Sequence, residues 1–348
     1  MAYPLENQMA AAYESLIISR PLAAFTPYEF TYVPWPFSYL KKLGGVKKER
    51  RRKWLVRRWT MMIHRYGRPF LKNSRGRLTL YSSRAASFRA LNLNYAFHYL
   101  PGYAGKNEIE TLCLLRCLTA GGNFYDIGAN WGYFSHAIAA DPAFTGQVHS
   151  FEANPEVYGD LNGLIKDLRL EKKITAYNFA LSDQAAALAM DAAHNWDSGQ
   201  AKISAKGKLA ITAKTLDSLN LAPPQAIKID VEGHELQVLR GAQETLQKHK
   251  PFIVMENWNL GRPAGEILEP LYFLENLNYQ FYLIGWLAGE EENYVSSSID
   301  NAPNQAQARI ALLPFLPKAR LLHEKSFRNI LAAPRNKTAQ LQELLLRP

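Results

Sequence analysis

From about residue 108 the apolar and polar positions settle into a regular alternation of strand and helix patterns. Residues 108–119 read as a helix, NFYDI (123–127) as a buried strand and 131–140 as the helix after it. QVHSFEA (147–153) reads as a second strand, followed by a helix over 155–170 with Pro155 suited to its first turn. ITAYNFAL (174–181), AIKIDVE (226–232) and FIVMEN (252–257) read as the third, fourth and fifth strands. A helix runs through HELQVLRGAQETLQKH after the fourth, and EILEPLYFLENL (266–277) is the helix after the fifth. YQFYLIGWL (279–287) and RNILAAP (328–334) complete a sheet of seven. Strands alternating with helices predict an α/β fold, a doubly wound, seven-stranded, Rossmann-like and largely parallel sheet.

Two stretches break the rhythm. Residues 184–214 are rich in Ala, Lys, Ser and Gly and read as a hairpin or substrate-side loop, and 288–308 are polar and patternless. Before residue 108 the pattern is different again. Residues 1–40 carry prolines and aromatics that argue against one long helix. Residues 46–66 read as a basic helix with Trp54, Leu55, Trp59, Met62, Ile63 and Tyr66 forming an apolar stripe between cations. The expected division is a basic, aromatic-rich extension over 1–100, a catalytic domain over 101–335 and a tail over 336–348.

Charge sharpens this division. The net +10 of the 348 residues is not spread evenly: residues 41–89 hold 17 Lys/Arg against one acid, Glu49, and the rest of the chain is net acidic. That segment points to a polyanion, either the phosphates of RNA or the surface of an anionic membrane, or else to a docked helix with its charges in water. The only cysteines, Cys113 and Cys117, are too few for a disulfide framework or a structural zinc site, and suit a reducing compartment. With no run long enough to span a membrane and no signal-peptide pattern, a cytoplasmic protein is expected.

In a doubly wound sheet, ligands bind beyond the carboxyl ends of the strands. Asp126 closes the first strand, and Gly128, Asn130 and Gly132 form a loop in which the glycines free the backbone and asparagine tolerates a left-handed turn. A dinucleotide fingerprint starting at Gly128 needs glycine at 130 and 133, where this chain has Asn130 and Tyr133, and no G-K-[ST] follows. A ligand with a nucleoside, a carboxylate and no phosphate fits better, and S-adenosylmethionine is such a ligand. Glu152, 24 residues after Gly128, is placed to accept both ribose hydroxyls. Ala180, Leu181 and Ser182 at the end of the third strand form a rim for the adenine. Trp131 is expected to pack the first helix on the sheet.

Residues 108–334 resemble the FkbM family of S-adenosylmethionine-dependent methyltransferases. The resemblance rests on YDIGANWGYF (125–134), SFEANPEVYGDL, ALSD (180–183), TLDSL (215–219), IKIDVEGHELQVLRGA (227–242) and FIVMEN, in that order. It implies methyl transfer to a hydroxyl oxygen of a saccharide or a polyketide-type metabolite. Asp230, Glu232 and His234 follow the fourth strand and Glu256 ends the fifth; on a strand, Asp230 and Glu232 share a face. Three roles stand open for these acids: general base, ligands of a divalent metal that lowers a hydroxyl's pKa, or anchors of the loop. His234 is a candidate base or a helix-start residue. The acceptor is a hydroxyl-bearing small molecule or glycan, and the competing reading is an RNA methyltransferase that grips phosphates through 41–89.

Overall fold

The computed structural model describes the backbone of residues 17–21, 28–30, 75–80 and 84–89, and residues 108–191, 202–204, 206–257, 263–288, 293–296, 309–322 and 329–346. The basic helix expected over 46–66 lies outside the described residues. Near the start are β1 (Ile17–Pro21), β2 (Tyr28–Phe30), β3 (Arg75–Leu80) and β4 (Arg84–Arg89); β2, β3 and β4 form a small antiparallel sheet.

From residue 109 the order is α1 (Ile109–Leu118), β5 (Asn123–Ile127), α2 (Tyr133–Ala140), β6 (Val148–Phe151), α3 (Pro155–Asp167), β7 (Ile174–Tyr177) and β8 (Ala180–Leu181). Next come β9 (Ala186–Asp191), β10 (Lys202–Ile203), β11 (Leu209–Lys214), β12 (Pro224–Ile229), α4 (Glu235–Arg240), α5 (Gln243–His249), β13 (Phe252–Glu256) and α6 (Ala264–Asn276). The chain closes with β14 (Tyr279–Ala288), β15 (Asn293–Ser296), β16 (Arg309–Phe315), β17 (Asn329–Pro334) and α7 (Thr338–Leu346).

The main sheet has the order β7-β6-β5-β12-β13-β17-β14-β16-β1, with β15 beside β14. Strands β7, β6, β5, β12 and β13 run parallel, and β17 is antiparallel to both β13 and β14. The seven strands read from the sequence are all here, in one Rossmann-like sheet. They are widened by β16 and β1, which the sequence reading passed over. Pro314 within RIALLPF and the prolines near Ile17 obscure both strands; each is paired antiparallel near the sheet's edge, where a proline costs least.

Strand alternation gives the sheet two apolar faces. Phe124, Ala226, Phe252 and Val254 bury against α1, α2, α3 and α7, while Tyr125, Ile227, Ile253 and Met255 bury against α4, α5 and α6. Helix α7 begins beyond the boundary expected at 335, and its Leu341, Leu344 and Leu345 are buried in the first of these cores.

Three local departures have physical causes. Helix α2 starts at Tyr133, because Asn130 (φ 50°) and Gly132 (φ 93°) hold left-handed conformations that no right-handed helix admits. The strand expected over 174–181 divides: Ile174–Tyr177 stays in the main sheet, and Ala180–Leu181 joins β9, β10 and β11 in a separate four-stranded sheet. The Asn178 side chain marks the break by donating to the Glu152 and Ala153 carbonyls. The long helix after the fourth strand also divides, at Gly241. A Cβ there would stand 1.9 Å from the Ser182 carbonyl oxygen, and Asp217 starts the second piece by accepting from the Glu244 and Thr245 amides.

Candidate active site

Strand β5 is the topological switch point, since the chain leaves it toward β6 and β7 and returns on its other side as β12. The crevice at its carboxyl end is closed by backbone. Gly128 (φ 78°) donates to the Phe151 carbonyl at 3.0 Å, and a Cβ on it would lie 1.8 Å from the Asp230 carbonyl oxygen. Any side chain there would push the loops after β5 and β12 apart, so glycine is what lets them close into one cradle.

Asp126 is buried behind this loop. Its Oδ2 accepts from the Ser135 amide at 3.1 Å and from the Ser135 hydroxyl, which in turn meets Ser150 Oγ at 2.7 Å. Burial pushes its carboxyl up to about 6, against the pull of Ser135 and Lys228. Asp126 therefore binds the loop to the first turn of α2.

Glu152 lies just past the end of β6. Its Oε2 accepts from the Asn130 amide at 2.9 Å and its Oε1 from the Asn154 amide at 2.8 Å. Burial raises it to about 7, although both amides work the other way. Asn154 also caps α3 by accepting from the Glu156 amide at 3.0 Å. The loop after β5 and the acid after β6 are thus one hydrogen-bonded unit.

Strand β12 ends at Ile229, so Asp230 and Glu232 sit on a loop rather than on one strand face as expected. Glu232 (φ 49°) and Gly233 (φ 97°) turn that loop back. The carboxylates are nevertheless brought together: Asp230, Glu232 and the buried Glu256 each offer an oxygen, and these oxygens lie within 4.8 Å of one another. His234 precedes α4, and its Nε2 lies 2.9 Å from Ser182 Oγ. Burial lowers the imidazole's pKa, with Asp183 opposing. Of the rim expected for adenine, Ala180 and Leu181 are buried in two apolar clusters, and Ser182 faces His234. Trp131 is buried against Tyr133 and His136 in the first core.

The sequence reading missed two buried cations near these acids. Lys228 is fully buried in β12, 3.0 Å from Asp230 Oδ2 and 5.2 Å from the Phe134 ring centroid. The signal was present, because IKID places a lysine at an inward position of a buried strand. Arg320 is buried beyond β13, where it donates through Nε to Asn257 Oδ1 at 2.9 Å and through Nη2 to the Asn257 carbonyl. Burial lowers its guanidinium to about 10. Nothing in its local sequence announces that position.

The sheet order, the glycine cradle after β5 and the acids after β6 and β12 together define a Rossmann-like α/β domain with its crevice at the switch point. Residues 126–281 match the methyltransferase FkbM domain. A hexuronic acid methyltransferase, AglP of Haloferax volcanii, is 28% identical over 136 residues, which are 38% of this chain and 54% of that protein. The chain thus spans about half the length of this curated relative. Among solved structures, a methyltransferase FkbM from Methylobacillus flagellatus KT overlaps 55% of this chain and 43% of its own, at 17% identity and a TM-score of 0.37. An O-methyltransferase from Bacillus cereus in complex with SAH overlaps 59% and 79%, at 13% identity and a TM-score of 0.33. Among the described residues no helix is long and apolar enough to cross a membrane.

Proposed function

We propose that the protein is an S-adenosylmethionine-dependent O-methyltransferase acting on a hydroxyl of a saccharide, with a uronic acid as the first acceptor to test. The observation that carries the reading is the joining of Asp126, the glycine cradle and Glu152 at the switch point, beside the acids that follow β12 and β13. The saccharide is supported by the name of the Haloferax relative. The RNA alternative rests on the charge of residues 41–89 alone.

When bound, the donor would supply a methyl already made electrophilic by its sulfonium. Glu152 would hold the ribose hydroxyls: each of its oxygens has one lone pair engaged by an amide and another available. Asp126 keeps the loop in register with α2. The acids around Asp230 would offer negative charge to the donor's sulfonium. The acceptor hydroxyl must lose its proton as it reacts, and His234 is the base we favour. It is the more basic choice because Asp230 is already paired with an ammonium. Ser182 donates to Asp183 Oδ1, so His234 Nε2 carries the hydrogen toward Ser182 and Nδ1 carries the lone pair.

Calorimetric titration with S-adenosylmethionine tests the foundation: folded protein that does not bind it would sink the proposal. Transfer of labelled methyl to uronic acid-containing oligosaccharides, with an RNA pool in parallel, tests the acceptor. Label in the RNA alone would select the alternative.

A further inference from the structure

Lys228 has no assigned role in this site, yet it is costly to keep. A strand buried on both faces takes Val or Ile at such a position, and a buried ammonium is tolerated only where partners replace its water. Its neighbours in register are Asp126 on β5 and Val254 on β13, so it stands at the centre of the parallel sheet. Five carboxylates bear on its end of the crevice, Asp126 among them. Asp230 pairs with it directly at 3.0 Å, Glu256 and Glu108 act on it from the end of β13 and the start of α1, and Glu232 lies beside Asp230. Burial works to lower the ammonium, but Asp230, Glu108 and Glu256 outweigh it and hold it above the ordinary lysine value. Phe134 of α2 covers it with an aromatic face, a further cation-binding surface.

We propose that Lys228 is a positioning residue, the resident cation of the acid cluster, which fixes the Asp230 carboxylate in the crevice and occupies the electrostatic place of a divalent metal. The three acids have the oxygen donors a metal would want. One of them, Asp230, already spends an oxygen on an ammonium that cannot leave, because it is tied covalently to the middle of the sheet. A divalent ion between these carboxylates would stand close to that fixed positive charge and be repelled by it. The arrangement neutralises the cluster in part and leaves net negative charge facing the crevice.

The inference deepens the proposed reading of the site, but its test needs neither methyl donor nor acceptor, so the two fail separately. Mn²⁺ binding is measured by electron paramagnetic resonance on wild type, Lys228→Met, Lys228→Arg, Asp230→Asn and the double variant Lys228→Met/Asp230→Asn, with circular dichroism as the check on folding. Wild type and Lys228→Arg are expected to bind no tighter than about 1 mM. Lys228→Met should bind at least about tenfold tighter, and the double variant should lose the gain. If Lys228→Met does not fold, Lys228→Gln, which keeps a donor without the charge, is read in its place. Micromolar Mn²⁺ binding by wild type that Asp230→Asn abolishes would overturn the proposal. So would a folded, uncharged variant with no gain in affinity.

Discussion

Ser182 and His234 are 52 positions apart in the chain, and their side chains meet at 2.9 Å. The contact is made possible by Gly241, which lets the end of α4 pack on the Ser182 carbonyl. It orders the imidazole through a hydroxyl that is itself ordered by Asp183. If His234 is the base, His234→Ala should lower methyl transfer by about 10²–10⁴-fold with donor affinity unchanged. Ser182→Ala should cost less, since the ring loses orientation but keeps its lone pair. Single-turnover rates with labelled donor, beside calorimetric affinities, separate the two effects. Full activity in His234→Ala would move the base to Asp230.

Glu152 should make donor binding depend on pH. Its carboxyl is raised to about 7 by burial, and only the ionised form accepts from both amides and from a ribose. Affinity for S-adenosylmethionine should therefore fall as pH drops through about 7. Glu152→Gln should bind weakly at every pH, which calorimetry between pH 5.5 and about 8.5 would show. Stability moves in the opposite sense. A carboxyl raised in the fold contributes stability that is complete below its unfolded pKa, near 4.5, and lost as pH rises through about 7.

Gly128→Ala is expected to cost about 2 kcal/mol or more, from a left-handed φ combined with a Cβ driven at the Asp230 carbonyl. Because β12 must shift to admit the methyl, donor binding should be lost with it. Urea unfolding gives the first quantity and calorimetry the second. Unchanged stability would mean that the β5 and β12 loops do not meet as described.

His136 sets an acid limit on the fold. It is buried in α2 beneath Gly132, and burial lowers its imidazole to about 3. A histidine depressed in the fold contributes stability that is present above about 6.5 and lost as pH falls toward 3, with a slope approaching about 1.4 kcal/mol per unit. His136→Leu should flatten thermal stability over that window while leaving it near the wild-type value at pH 8. A wild-type-like acid slope in this variant would place the titration elsewhere.

The element pattern and the family motifs were legible because both are local. Asp126, Gly128 and Asn130 lie within five residues, and a buried parallel strand announces itself as a short apolar run before a turn. Asp217 within TLDSL was visible as a motif, but its work as the cap of α5 was not. Strand face was misjudged for Asp230 and Glu232, because the strand stops at Ile229 and a left-handed Glu232 redirects the loop. They still converge with Glu256, since β12 and β13 are parallel neighbours that end together.

The sequence by itself determined the strand–helix alternation, the glycine loop and the acids at the strand ends, all of which follow from spacing along the backbone. Only the tertiary structure decided that Glu152 receives the Asn130 amide, that Ser182 faces His234 and that Lys228 meets acids from the loop after β12, the end of β13 and the residue before α1. Those relationships join positions far apart in the chain. Their energies depend on burial and on which strands become neighbours, and both are set when the sheet assembles.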